Sequence, residues 1–150
     1  VLEYFDLPVA SPTGITFGGG YLWISETDGH QLVKMNPFTM EVIKTFTKDP
    51  FFSSSLAYDG QFLWLVHYIR DDGSYLSRIE PSTGTTLNTY QAPGPEPVGL
   101  AISDGLLYVS DATDDMIYVL QIPEPTMLLL LPLVMIILLS PHTVRCDRRR

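Results

Sequence analysis

Three short stretches of the chain are apolar at almost every position: Tyr21-Leu22-Trp23-Ile24-Ser25, Phe62-Leu63-Trp64-Leu65-Val66 and Leu106-Leu107-Tyr108-Val109-Ser110. A strand with one wet face alternates apolar and polar residues. Runs without alternation predict strands covered on both faces. The aromatic positions recur at intervals of 41 residues (Trp23 to Trp64) and 44 residues (Trp64 to Tyr108). A repeat of that length, holding four short strands, has the period of a β-propeller blade.

The flanking patterns fill in the blades. In the first, Ile15-Thr16-Phe17 precedes the Trp23 strand, Gln31–Met35 follows it, and Val42–Phe46 closes the repeat. The second runs through Ser55–Tyr58, the Trp64 strand, Tyr75–Ile79 and Thr86–Gln91. The third runs from Val98–Ile102 through the Tyr108 strand to Ile117–Leu120, where Pro123-Glu124-Pro125 interrupts it. Gly18-Gly19-Gly20, Asp59-Gly60 and Asp104-Gly105 read as tight hairpin turns between the first two strands of each blade. Glu80-Pro81-Ser82-Thr83-Gly84 is a well-formed turn, whereas its first-blade counterpart has Met40 in place of Gly84. Residues 1–8 resemble the closing strand Thr86–Pro93 and predict an orphan outer strand.

The expected fold is therefore all-β: a partial β-propeller of about three four-stranded blades, over residues 11–50, 51–94 and 95–122. Closed propellers have four to eight blades. Three predict either part of a longer chain or a protomer that associates with another copy through its blade faces. The opening residues, with Glu3 and no basic run, do not read as a secretory leader. The expectation is a removed leader or a longer chain.

Charge divides the chain. Residues 1–125 hold five basic side chains against sixteen acidic ones, while residues 126–150 hold four arginines against Asp147. The acidic body excludes nucleic acid as a natural partner, because phosphates need Lys and Arg. The single cysteine, Cys146, permits no intrachain disulfide. The basic end follows thirteen residues, Met127–Leu139, without a polar side chain. As a helix, residues 127–144 would reach roughly 27 Å, just short of a bilayer core of about 30 Å. The arginines Arg145, Arg148, Arg149 and Arg150 would remain cytoplasmic and leave the blades outside.

This tail, from about residue 122 onward, resembles the PEP-CTERM sorting signal of Gram-negative bacteria. Pro123, Glu124 and Pro125 match its motif, the apolar run matches its membrane helix, and Arg148, Arg149 and Arg150 match its basic cluster. Pro132 and Pro141 interrupt the span, and the glycines common in such helices are missing. The resemblance implies recognition by an exosortase-type membrane protease, and a surface or extracellular destination after processing. An ordinary C-terminal anchor is the plainer reading. The blades more loosely resemble virginiamycin B lyase-like and NHL-type propellers, through Glu3–Pro8, Pro12–Thr16 and Leu22–Glu26. The lyase resemblance implies a metal held by histidine and acidic side chains, but no distinctive match to that site stands out.

Candidate chemistry is sparse. His30 and His67 are expected in loops just after the second strand of successive blades, beside Glu26, Asp28, Asp71 and Asp72. Asp111, Asp114 and Asp115 take the same place in the third blade, and His142 lies in the tail. Oxygen-rich loops on one propeller face can hold Ca²⁺, yet the spacing fits no ligand loop, and solvated loop residues are the simpler account. Trp23, Trp64 and Tyr108 are expected to pack between blades rather than to stack on sugars. No catalytic, cofactor-binding or metal-binding residue is assigned. The resulting expectation is an exported, membrane-sorted propeller with a binding or scaffolding role. The alternative is a lyase-like propeller enzyme whose site needs further blades.

Overall fold

The computed structural model describes residues 5–7, 9–48, 52–70 and 72–122. Eleven strands are formed there, and no helix: β1 (Pro12–Gly18), β2 (Tyr21–Glu26), β3 (Gln31–Met35), β4 (Val42–Thr47), β5 (Phe52–Tyr58), β6 (Leu63–Ile69), β7 (Gly73–Ile79), β8 (Thr86–Gln91), β9 (Pro97–Ser103), β10 (Leu106–Asp111) and β11 (Met116–Gln121). They make three antiparallel meanders: β1-β2-β3-β4, β5-β6-β7-β8 and β9-β10-β11. The first strands lie side by side, β1 against β5 and β5 against β9. Sheets stacked face to face around neighbouring first strands are the blades of a partial β-propeller. The membrane helix expected at 127–144 lies outside the described residues; of the orphan strand expected at 1–8, residues 5–7 are described and form no strand, and the others lie outside.

Each seam between blades is an apolar layer. The first joins Trp23, Leu32 and Phe46 of blade one to Leu56, Leu63, Leu65 and Ile79 of blade two. The second joins Trp64, Val66 and Leu76 of blade two to Leu107, Val109 and Leu120 of blade three. The period-two alternation of strands assigns these faces: Trp64 and Val66 turn toward blade three, and Leu63 and Leu65 toward blade one. Both faces of β6 are therefore dry, which is why the sequence there does not alternate. An outer-strand aromatic lies over each tryptophan. Phe46 stacks on Trp23 and Tyr90 on Trp64, with centroids 6.2 and 6.1 Å apart.

Two of the three expected hairpin turns have two residues. Gly19 and Gly20 take φ of 60° and 84°, and Asp104 and Gly105 take 52° and 74°, the positive pair a tight hairpin requires. The third differs. Tyr58 pairs with Leu63, so residues 59–62 form a four-residue loop rather than an Asp59-Gly60 turn. Asp59 stabilises the longer loop. Its Oδ1 accepts from the Gln61 and Phe62 amides at 2.8 and 2.7 Å, and its Oδ2 accepts from Trp64 Nε1 at 2.7 Å. The indole is thus anchored to the loop that precedes its own strand.

Candidate functional site

Because β1, β5 and β9 run the same way, the β2–β3, β6–β7 and β10–β11 loops share one end of the blades with the connections into β5 and β9. Of the expected polar candidates, Glu26, Asp28, Asp72, Asp111 and Asp114 lie at this loop end, and each is engaged by nearby groups. Glu26 is buried and accepts the Gly29 amide on both carboxylate oxygens at 2.8 Å. Asp111, also buried, accepts the Glu96 amide at 2.7 Å and the Thr113 and Asp114 amides at 3.0 and 2.9 Å. Asp28 accepts from the Ser11 hydroxyl, and Asp72 from the Tyr75 hydroxyl. Asp114 accepts from the Tyr118 hydroxyl at 2.6 Å, and this hydrogen bond pushes the phenol pKa up to about 12. These carboxylates tie the loops to themselves and to the segments leading into β1 and β9. Among the described residues, no three of His, Cys, Asp or Glu form a group that could hold a metal ion.

The two histidines part company. His30 lies in the β2–β3 loop with φ of 51°, its ring edge-on to Phe52. His67 is not a loop residue. It lies within β6, buried, paired with Tyr75 across to β7 and stacked on that ring. Its Nε2 stands 2.9 Å from Ser77 Oγ, and burial lowers its pKa to about 4. The expectation of a loop position fails because β6 continues to Ile69, past the apolar run that marked it. Trp23 and Trp64 fill the seams as expected. Tyr108, half-buried, lies on the outer face of blade three, turned away from blade two. Asp71, His142, Pro123, Glu124, Pro125 and the arginines of the tail lie outside the described residues.

The seam between blades two and three opens into a cleft at each end. The loop-end cleft, about 450 Å³, is lined among others by Phe52, His67, Tyr68, Glu96, Val98 and Thr113. Phe52, Tyr68 and Val98 are each more than two-fifths exposed and form apolar lips. The floor is polar, with Ser53, Ser74 and a His67 ring that is neutral at pH 7. The one carboxylate, Glu96, accepts from Thr113 Oγ1 at 2.8 Å. The opposite cleft, about 530 Å³, is walled by Tyr58, Asp59, Phe62, Arg78, Ile102 and Ile122. Arg78 is buried there, with its guanidinium 4.7 Å from the centre of the Phe62 ring. Lys34 covers Tyr21 in blade one at 3.6 Å. Lys34 and Arg78 pair across from Trp23 and Trp64 respectively, so a cation over an aromatic ring is a repeated feature of the blade. Aligning the third strands of the repeats would have revealed it. The clefts themselves draw on residues from different blades and leave no local motif.

No family model matches the sequence, and neither does any curated protein. Solved structures do. The chain is similar to hydrazine synthase of Kuenenia stuttgartiensis, at 22% identity and a TM-score of 0.62, over 81% of this chain and 35% of that one. It is also similar to Hsv2 of Kluyveromyces lactis, at 12% identity and a TM-score of 0.58, over 77% and 34% of the two chains. The corresponding protein of Kluyveromyces marxianus gives 14% and 0.55 over the same shares. The chain therefore spans about a third of the length of these structures, and at such identities the likeness concerns the fold: that of a β-propeller, present here in part.

Proposed function

We propose that this protein is an exported binding or scaffolding module, carried to the cell surface by its C-terminal sorting signal. The blades supply the binding platform, with a cleft at the loop end of the second seam. The observation that carries the binding role is that cleft: aromatic lips on a polar, uncharged floor, held between two packed sheets. Such a surface fits a ligand with a flat apolar face and hydrogen-bonding groups around it. A lyase-like enzyme draws no support from Glu26, Asp28, Asp72, Asp111 or Asp114, whose carboxylates are taken up by nearby amides and hydroxyls.

The address rests on the order Pro-Glu-Pro, apolar segment, arginines. Moving a guanidinium through the bilayer centre costs at least about 2.5–3.5 kcal/mol, so the arginines keep the C-terminus cytoplasmic. Pro123-Glu124-Pro125 then sits at the outer membrane surface. Two prolines bar that segment from a helix or a ladder and leave it extended for a membrane protease. The test is intact mass spectrometry of the exported protein in a host with an exosortase-type enzyme. The expected product lacks everything from about Thr126 onward, and Glu124→Ala retains the tail. Recovery of chains still ending at Arg150 reduces the tail to a plain anchor. Recovery of the blades in the cytoplasm overturns the address altogether.

A further inference from the structure

Four ionisable side chains are buried among the described residues: Glu26, His67, Arg78 and Asp111. Three of them are visibly engaged. Glu26 and Asp111 accept backbone amides, and His67 Nε2 meets the Ser77 hydroxyl. Arg78 differs. It is 7% exposed, its Nε is buried without a hydrogen-bond partner, and it forms no ion pair among the described residues. Its guanidinium lies only on the face of the Phe62 ring, 4.7 Å from the centre.

Strand register directs this side chain. Arg78 on β7 pairs with Trp64 on β6, and directly paired residues share a face of the sheet. Arg78 therefore enters the seam between blades two and three. There it lines the cleft opposite the loop end, beside Asp59, Asp104, Ile102 and Ile122. A cation over a ring does not by itself call for burial. Lys34, at the same position in blade one, covers Tyr21 while only half-buried. Val119 takes the position in blade three and carries no charge. A buried cation is costly unless an anion faces it, and the two acids of the cleft are turned to other donors. Asp59 accepts from the Gln61 and Phe62 amides and from Trp64 Nε1, and Asp104 accepts from Ser103 Oγ at 3.0 Å.

We propose that this cleft binds a small organic carboxylate, held by Arg78. A planar carboxylate takes two of the guanidinium's N–H donors side by side, and supplies the anion that the buried cation lacks. The apolar body of the ligand lies against Ile102 and Ile122, which pack on the second seam. Asp59 and Asp104 in the same walls repel a second negative charge, so a single carboxylate is favoured over a phosphate. The site is separate from the loop-end cleft, and the inference depends neither on that cleft nor on the sorting tail.

Calorimetric titration of the full 150-residue chain in mild detergent tests it, with benzoate, benzamide and inorganic phosphate as probes. Benzoate is expected to bind with a Kd of about 1 mM or tighter. Benzamide, its uncharged isostere, and phosphate are each expected to bind about tenfold more weakly or worse. Arg78→Lys keeps the charge without the fork and weakens benzoate by about tenfold. Arg78→Met, of similar length, abolishes the binding and leaves the circular dichroism of the strands unchanged. A chain that binds no benzoate overturns the proposal. So does benzamide binding as tightly as benzoate, which reports an apolar pocket only, and so does phosphate binding more tightly, which reports a general anion site. A folded Arg78→Met that keeps full benzoate affinity also overturns it, because the ligand then sits elsewhere. If Arg78→Met does not fold, the comparison of benzoate with benzamide on the unsubstituted chain decides.

Discussion

His67 lies in the middle of a strand, with its ring on Tyr75 and its Nε2 at the Ser77 hydroxyl. Burial holds its pKa at about 4 against an ordinary 6.5. Above pH 6.5 the ring is neutral whether the chain is folded or not, and it makes no difference to stability. Below that, the unfolded chain takes up a proton that the folded chain refuses. Stability is therefore lost as pH falls from about 6.5 to about 4, and the loss levels off beneath. The expected result is a urea midpoint that declines over this window and declines less in His67→Gln, once the acid response common to both proteins is subtracted. Equal slopes in the two proteins would assign the decline to the carboxylates. Met40 and Gly84 end equivalent turns with φ of 57° and 73°. The left-handed conformation costs a side-chain-bearing residue about 1–2 kcal/mol, and Met40 recovers part of this by packing near Ile24 and Val33. Met40→Gly is expected to raise stability by about 0.5–1 kcal/mol. Gly84→Ala is expected to lower it by about 1–3 kcal/mol, because its methyl would come within 2.3 Å of the Phe46 ring. Denaturant melts read both.

At the scale of the strand, β6 carries the central blade, with Trp64 and Val66 in one seam and Leu63 and Leu65 in the other. Trp64→Ala empties part of the second seam and leaves Asp59 without its indole donor. A loss of about 3–5 kcal/mol is expected in equilibrium unfolding. A neutral result would mean that the seam does not hold the blades together. Much of this architecture is legible in the sequence. Continuous apolar runs mark the second strands, since a strand dry on both faces cannot alternate, and the glycine-rich turns divide the meanders. What escapes is set by contacts made across blades. The Asp59 loop is longer than its dipeptide implies because an indole five residues on claims one carboxylate oxygen. His67 reads as a loop residue because hydrogen bonding extends β6 beyond its apolar segment. The clefts combine Phe52 with Glu96 and Arg78 with Ile122, pairs that share no local pattern. The tail motif Pro123-Glu124-Pro125 lies outside the described residues.

Across the whole molecule, stability is shared unevenly. Blade two has a blade on each side, while blades one and three each have one described neighbour. In a stack whose units touch only their neighbours, the central unit gains two interfaces and each end unit one. Amide exchange is therefore expected to be slowest along β6 and β7. It should be faster at the exposed edge of β11 and along β1, whose outward side chains Ile15 and Phe17 are uncovered. Uniform protection across the three sheets would show that the blades open only together.

The chain's two tryptophans happen to be divided between the seams, one each. Trp23 Nε1 donates to the Gly18 carbonyl, and Trp64 Nε1 donates to the Asp59 carboxylate. The protein thus carries a built-in optical label on each of its joints, in chemically different settings. Trp23→Phe leaves emission from the joint between blades two and three alone, and Trp64→Phe leaves emission from the joint between blades one and two. Heating the two variants side by side would show, without an added dye, which joint parts first.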